Sequence, residues 1–267
     1  MADADAVSDA GLPVHLTPGA GAPEPPAPAP SASAPATGEM TLVDHLTELR
    51  NRIIKIAIAV AVASTIGFYF SDQIVSLLKA PIPDNKPLYF TGLGDAFVIK
   101  LKISVVVGII LAMPVVLYQG WAFIAPGLTA DERKMVRPWI PLALLFFALG
   151  TLIAYVILPF AAGFLLGFST PDLQPLITAE AYFGFVTTLF LAFGLVLEFP
   201  IILYGLSRVG IVTSALLTRY RRMSILGIAI FAAAVTPGTD LVSPAILGIT
   251  MYVLFEGTIF FIRRSGK

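Results

Sequence analysis

Apolar runs bounded by polar or Pro/Gly-rich residues dominate the chain after residue 40, and six of them have the character of helices packed in lipid. At 1.5 Å per residue, about 20 apolar residues cross a hydrocarbon core of about 30 Å. The first run extends from Ile53 to Phe70. It follows an amphipathic turn beginning at Thr41-Leu-Val-Asp44, a capping-box-like start with Asp44 in place of the usual Glu or Gln. Ser71 to Lys79 reads as a helical extension stopped at Pro81 and Pro83, and the stretch to Gly94 as a polar loop. The second span runs roughly from Ala96 to Ala125, with a kink expected at Pro114. Trp139 to Phe168 gives the third, about Tyr182 to Leu206 the fourth, Met223 to Thr236 the fifth, and about Pro244 to Ile262 the sixth. The fifth has only fourteen residues, or ~21 Å of helix. Local bilayer thinning or a packing partner would relieve that mismatch. The pattern predicts an all-α integral membrane protein with six transmembrane helices and both termini on one side.

Composition agrees, since 57% hydrophobic and 13% charged residues with a mean hydropathy of +0.87 exclude a soluble domain. Residues 1–39 differ from the rest. They are Ala/Pro-rich, carry five acidic residues and no Lys or Arg, and have too few large apolar side chains to offset the entropy of ordering. They read as a disordered acidic tail rather than a cleavable signal peptide, leaving 40–267 as the membrane domain. That domain holds 17 basic and 12 acidic residues, a net +5. Thirteen of the basic residues flank one end of the spans, from Arg50, Arg52 and Lys55 to Arg263, Arg264 and Lys267. Four, Lys79, Lys86, Lys100 and Lys102, flank the other. The positive-inside rule then predicts cytoplasmic termini, with Trp121 and Trp139 as interfacial anchors around one cytoplasmic loop. The chain has no cysteine, which excludes disulfides, thiolate catalysis and zinc-thiolate sites.

Glu198 is the only charge between Ala181 and Leu206. An acidic residue near the middle of a span costs ~2.5 to 3.5 kcal/mol on insertion scales, so a functional role is favoured over a mere hydrogen bond between helices. Glu256, seven residues before Arg263, is placed to reach the interface or a basic partner. Glu48 shares a helix face with Asp44 and Arg52. The plain reading there is an i,i+4 Glu48–Arg52 pair, which spacing alone favours over a ligand site. Thr129-Ala-Asp131-Glu132 matches a capping box for the third span. Glu48 and Glu132 are nonetheless carboxylates on the basic side, suited to bidentate bonds with a cationic partner. Gly92-Leu-Gly94 is a loop, not a nucleotide fingerprint, and His15 and His45 lie outside the spans, so an enzyme is not expected.

Over nearly all of 40–267 the sequence resembles the TatC family, the polytopic receptor subunits of twin-arginine protein translocases. The resemblance rests on HLTELRNR (45–52), KAPI around Pro81, PVVLYQGWAFIAPGLTADERK (114–134), FGLVLEFP (193–200), RYRR (219–222), TPGTD (236–240) and MYVLFE (251–256), in that order and setting. It implies a curved six-helix bundle with a concave face in the bacterial inner membrane. It also implies recognition of twin-arginine signal peptides on folded cargo, and transport driven by the proton-motive force. By motif position, Glu48 and Glu132 correspond to acidic residues that contact the arginine pair, and Arg50 and Phe123 to the same cytoplasmic surface. Glu198 corresponds to the intramembrane glutamate met by single-span TatA and TatB-type subunits and the signal helix. Pro81 and Asp240 match sensitive positions in the outer cap and before the last span. The implied assembly is oligomeric and lipid-embedded, without cofactor, metal or nucleic acid. Thr129, where Tyr is common, Thr250, where Pro is common, and the long tail depart from the family pattern.

Other classes fit less well. A small-solute transporter would be expected to repeat a pair of broken helices, and no such repeat is apparent. A purely structural subunit would tolerate Gln at position 198. An intramembrane protease needs a Ser/His or paired-Asp site, and the spans contain neither.

Overall fold

The computed structural model describes residues 42–82, 87–170, 172, 174–208, 210–236 and 241–264. The acidic tail, Thr41 of the first capping signal and Asp240 lie outside them. Within the described residues the chain forms α1 (Leu42–Tyr69), α2 (Ser71–Lys79), α3 (Asp95–Ile124) and a 3₁₀ turn (Ala125–Gly127). It continues through α4 (Ala130–Val136), α5 (Trp139–Leu166), α6 (Ala179–Val196) and α7 (Phe199–Arg208), and ends with α8 (Ser214–Arg219), α9 (Arg221–Val235) and α10 (Val242–Arg264). The described residues contain no strand. A single parallel bridge joins Tyr89 to Thr178: Tyr89 N donates to Ile177 O (3.0 Å) and Ala179 N to Tyr89 O (2.8 Å).

Among the described residues, five stretches are long and apolar enough to cross a membrane: α1, α3 with its 3₁₀ turn, α5, α6 joined to α7, and α10. Their surfaces fit lipid rather than water. Ile58 and Val62 on α1, for example, are 59% and 58% exposed, whereas in water a contiguous apolar face of that kind marks an interaction surface. The expected fifth span is α9, whose 15 residues make ~22 Å of helix, so it does not match the bilayer by itself. The core centres on α6, where Val186, Leu189 and Phe193 are fully buried among α3, α5 and α10.

Lipid removes most of the hydrophobic drive between helices, so close approach of backbones takes its place. A Cβ on Gly108 of α3 would lie 2.6 Å from Ser64 N of α1, and one on Gly150 of α5 would lie 2.9 Å from Gly194 Cα of α6. Gly150→Val is therefore expected to lower the thermal midpoint, at a cost above the ~1–3 kcal/mol of ordinary overpacking, because the obstructing atoms are backbone. Gly163→Ala on the same helix, where a Cβ meets nothing within 4 Å, is the control. Equal melting of the two variants in detergent would contradict this account of the α5–α6 contact.

Two expectations change. The fourth span is not one continuous helix but α6 and α7, separated at Leu197-Glu198. Pro200 lacks the N–H that would bond the Val196 carbonyl, and its ring crowds the preceding turn. Leu197 N instead closes α6 on Phe193 O (3.2 Å), Glu198 N turns back to Leu195 O (3.1 Å), and Ile201 and Ile202 both donate to Glu198 O (3.1 Å) to start α7. The Thr129 capping signal does not start the third span either. It precedes the separate short α4, with Arg133 N donating to Thr129 O (2.9 Å), and α5 begins only after Pro138. Pro114 lies within α3 as expected, and α5 contains a second internal proline, Pro159. Helix α7 ends in a Schellman arrangement: Gly210, at φ +83°, donates to Ser207 O (3.1 Å) and Ile211 N to Leu206 O (3.0 Å).

Candidate functional site

The basic end of α1 carries His45, Glu48 and Arg52 on one face, because three- and four-residue steps bring side chains together. The last turns of α3 place Gln119 and Phe123 opposite them. Arg52 donates from Nε (3.0 Å) and Nη2 to Glu48 Oε1, and from Nη1 to Gln119 Oε1 (3.1 Å). The i,i+4 pair expected from spacing thus forms, and it is also tied across to α3. His45 stacks on Phe123, with ring centroids 4.4 Å apart and planes 17° from parallel, and its Nδ1 lies 3.9 Å from Glu48 Oε2. The Glu48 side chain is only 20% exposed. Its Oε2 is shielded and accepts no hydrogen bond from the described residues, while Oε1 serves Arg52. A carboxylate has about four lone-pair sites, so this one keeps acceptor capacity on the oxygen facing away from Arg52.

The other residues implicated at this end are placed less directly. Arg50 is exposed on α1. Glu132 belongs to α4, just beyond the turn that leaves α3, and its side chain is not among those described. Arg133 Nη2 donates to Ala125 O (2.9 Å), which fastens α4 to that turn. Sequence reading missed Gln119. Its one available signal was its position four residues before Phe123, on the same face of α3.

Glu198 lies at the break between α6 and α7, 6% exposed. Its carboxyl group makes no hydrogen bond to the described residues, and Oε1 is shielded. Its neighbours Val196 and Phe199 line a cavity of about 670 Å³ bounded by α6, α7, α8, α9 and α10, with Leu195, Ile228, Phe231 and Met251 also in its walls. Thr188 and Ser224 are the polar side chains among the lining residues. The short α9 forms one wall, so the helix break at Glu198 and the short α9 adjoin one apolar cavity.

Glu256 of α10 pairs through Oε2 with Arg221 Nη2 at the start of α9, and Arg263 Nη2 donates to Thr218 Oγ1 (2.8 Å) on α8. These contacts fasten the α8–α9 unit to the last helix. The Arg221 and Glu256 side chains are 42% and 27% exposed, so solvent screens the pair. Glu256→Gln is expected to cost no more than ~1 kcal/mol of stability, read from thermal melting in detergent. Pro81 is half-buried after α2, beside the buried Ile82.

The family model described as TatC, Sec-independent protein translocase protein, matches residues 44–249. The chain is 37% identical over 223 residues to the Sec-independent protein translocase protein TatC of Carboxydothermus hydrogenoformans, which covers 83% of this chain and 92% of that one. It is 37% identical over 227 residues to the protein of the same name from Aquifex aeolicus, covering 83% and 94%. A crystal structure described as the twin arginine translocase receptor TatC matches with a TM-score of 0.73 at 35% identity, over 82% of this chain and 99% of that one. By the extent of the sequence match and the shared helical fold, this chain belongs to the TatC family of Sec-independent protein translocase proteins.

Proposed function

We propose that this protein is the signal-peptide receptor of its translocase, binding the paired arginines of a cargo signal at the basic end of α1, α3 and α4. The observation that carries this reading is the divided Glu48 carboxylate, with one oxygen held by Arg52 and the other shielded and accepting no hydrogen bond from the described residues. Arg52 and Gln119 set the carboxylate's orientation. An incoming guanidinium meets the vacant oxygen, and the His45–Phe123 stack gives a flat surface beside it. Glu132 and Arg50 take part from α4 and α1. Lys is a poor substitute for such a ligand, because an ammonium cannot offer the planar fork that two carboxylates recognise.

In this reading the termini and the basic end are cytoplasmic, by the positive-inside rule, and the membrane is the bacterial inner membrane. The apolar part of the signal enters the cavity of α6–α10, and single-span TatA and TatB-type subunits gather beside Glu198, α9 and α10 in an oligomeric complex. Pro81 and Asp240 shape the opposite end and the approach to α10. The protein acts by binding and assembly rather than catalysis, and the proton-motive force drives transfer of the folded cargo. The test is peptide binding to the reconstituted protein, comparing Arg-Arg with Lys-Lys in one signal. Preference for Arg-Arg supports the reading. Equal affinity for both would reduce binding to membrane-surface electrostatics and overturn it.

A further inference from the structure

A second cavity, of about 550 Å³, lies at the end opposite the basic one, between the starts of α3 and α6 and the end of α5. Its walls include Leu165, Leu166, Ile177 and Phe185, together with two side chains of opposite charge, Lys102 and Glu180. The volume is in the ~300–1,000 Å³ range of small-ligand sites. Lys102 is seven residues into α3, ~10 Å along its axis, near the depth at which a span meets lipid headgroups. Its ammonium crosses to α6, lying 3.4 Å from where a Cβ on Gly184 would stand, so the absent side chain leaves its place open. Both charged groups are exposed, and neither makes a hydrogen bond or ion pair with the described residues, each other included. Lys100, two residues earlier and so on a different side of the helix, is instead held by Asp72 at 2.6 Å.

We propose that this cavity binds a membrane phospholipid whose headgroup carries both a phosphate and a primary ammonium, as in phosphatidylethanolamine. Lys102 donates to the phosphate, Glu180 accepts from the ammonium, and an acyl chain lies along Leu165, Leu166 and Phe185. The chemistry discriminates among common lipids. A quaternary choline has no N–H for Glu180, and a glycerol headgroup leaves its phosphate charge facing that carboxylate uncompensated. The apolar walls select a lipid over a soluble phosphoamine.

The experiment is native mass spectrometry of the full chain, released from an equimolar mixture of phosphatidylethanolamine, phosphatidylcholine and phosphatidylglycerol with identical acyl chains. The wild type is expected to retain the ethanolamine lipid about fivefold over each of the others, the ratio of roughly one exposed charge-assisted contact. Glu180→Gln should erase the distinction between ethanolamine and choline lipids. Lys102→Gln should lower retention of every phospholipid. Equal retention of the three by the wild type, or preference for the glycerol lipid, overturns the proposal whatever the variants do. An unchanged preference for the ethanolamine lipid in both variants, with unaltered melting, would locate the lipid elsewhere and overturn it equally.

Discussion

Glu48→Gln in the reconstituted protein is expected to weaken binding of a twin-arginine peptide by roughly ten- to a hundredfold and to abolish its advantage over the Lys-Lys peptide. Hydrogen bonds to a charged group contribute about 1.5–3 kcal/mol, and every 1.4 kcal/mol is tenfold in affinity. The loss is larger than for an exposed ion pair because Glu48 is mostly shielded and one of its oxygens accepts no hydrogen bond from the described residues. The complication is Arg52, which loses its carboxylate in the same variant. Arg52→Gln separates the two roles. If Glu48 is itself the ligand, Arg52→Gln keeps the preference for Arg-Arg, because Oε2 remains available. If Glu48 serves only to hold Arg52, the two variants should bind alike, and that result would remove Glu48 from the recognition site.

The second large effect is expected at Glu198, with opposite signs for stability and function. Glu198→Leu should raise the thermal stability of the isolated protein by about 1–3 kcal/mol, the usual cost of a buried polar group left without a partner. The same variant should lower association with the single-span subunits, and with it transport, by more than tenfold. The carboxyl group makes no hydrogen bond to the described residues, so its partner in this reading comes from outside the chain. Glu198→Gln, which keeps a hydrogen-bonding side chain, should fall between the two in association. Melting in detergent and co-purification of the small subunits read the two effects independently. A Leu variant that melts lower, with Gln restoring the wild-type midpoint, would assign Glu198 to internal packing and sink the assembly role.

The two sites have different mechanical settings. Glu48 is fixed on α1 by Arg52 and braced by Gln119 of α3, and those helices pack closely through Ser64 and Gly108. A rigid first contact suits recognition of a fixed arginine spacing, since geometry set before binding costs little when the ligand arrives. Glu198 instead lies where the helix is interrupted, beside an apolar cavity walled partly by the short α9. Broken backbone at membrane depth is tolerated where it is buried in protein or lines a cavity.

Local pattern determined the class of this protein. Apolar runs of membrane-spanning length, the lopsided distribution of basic residues and the four-residue step from Glu48 to Arg52 all lie within the few residues over which helix periodicity operates. The motifs carried the family, and the shortness of the fifth run was legible as a count of residues. Tertiary structure decided what those residues meet. Arg52 reaches Gln119 across 67 positions and Arg221 meets Glu256 across 35, and no periodicity of 3.6 extends to such separations. Sequence placed Glu198 inside an apolar run, but the turn there depends on Pro200 removing a donor, while α10 packs on α6 and α7 and the short α9 walls the adjoining cavity. Whether a buried carboxyl group has a partner depends on which helices surround it, and packing sets that.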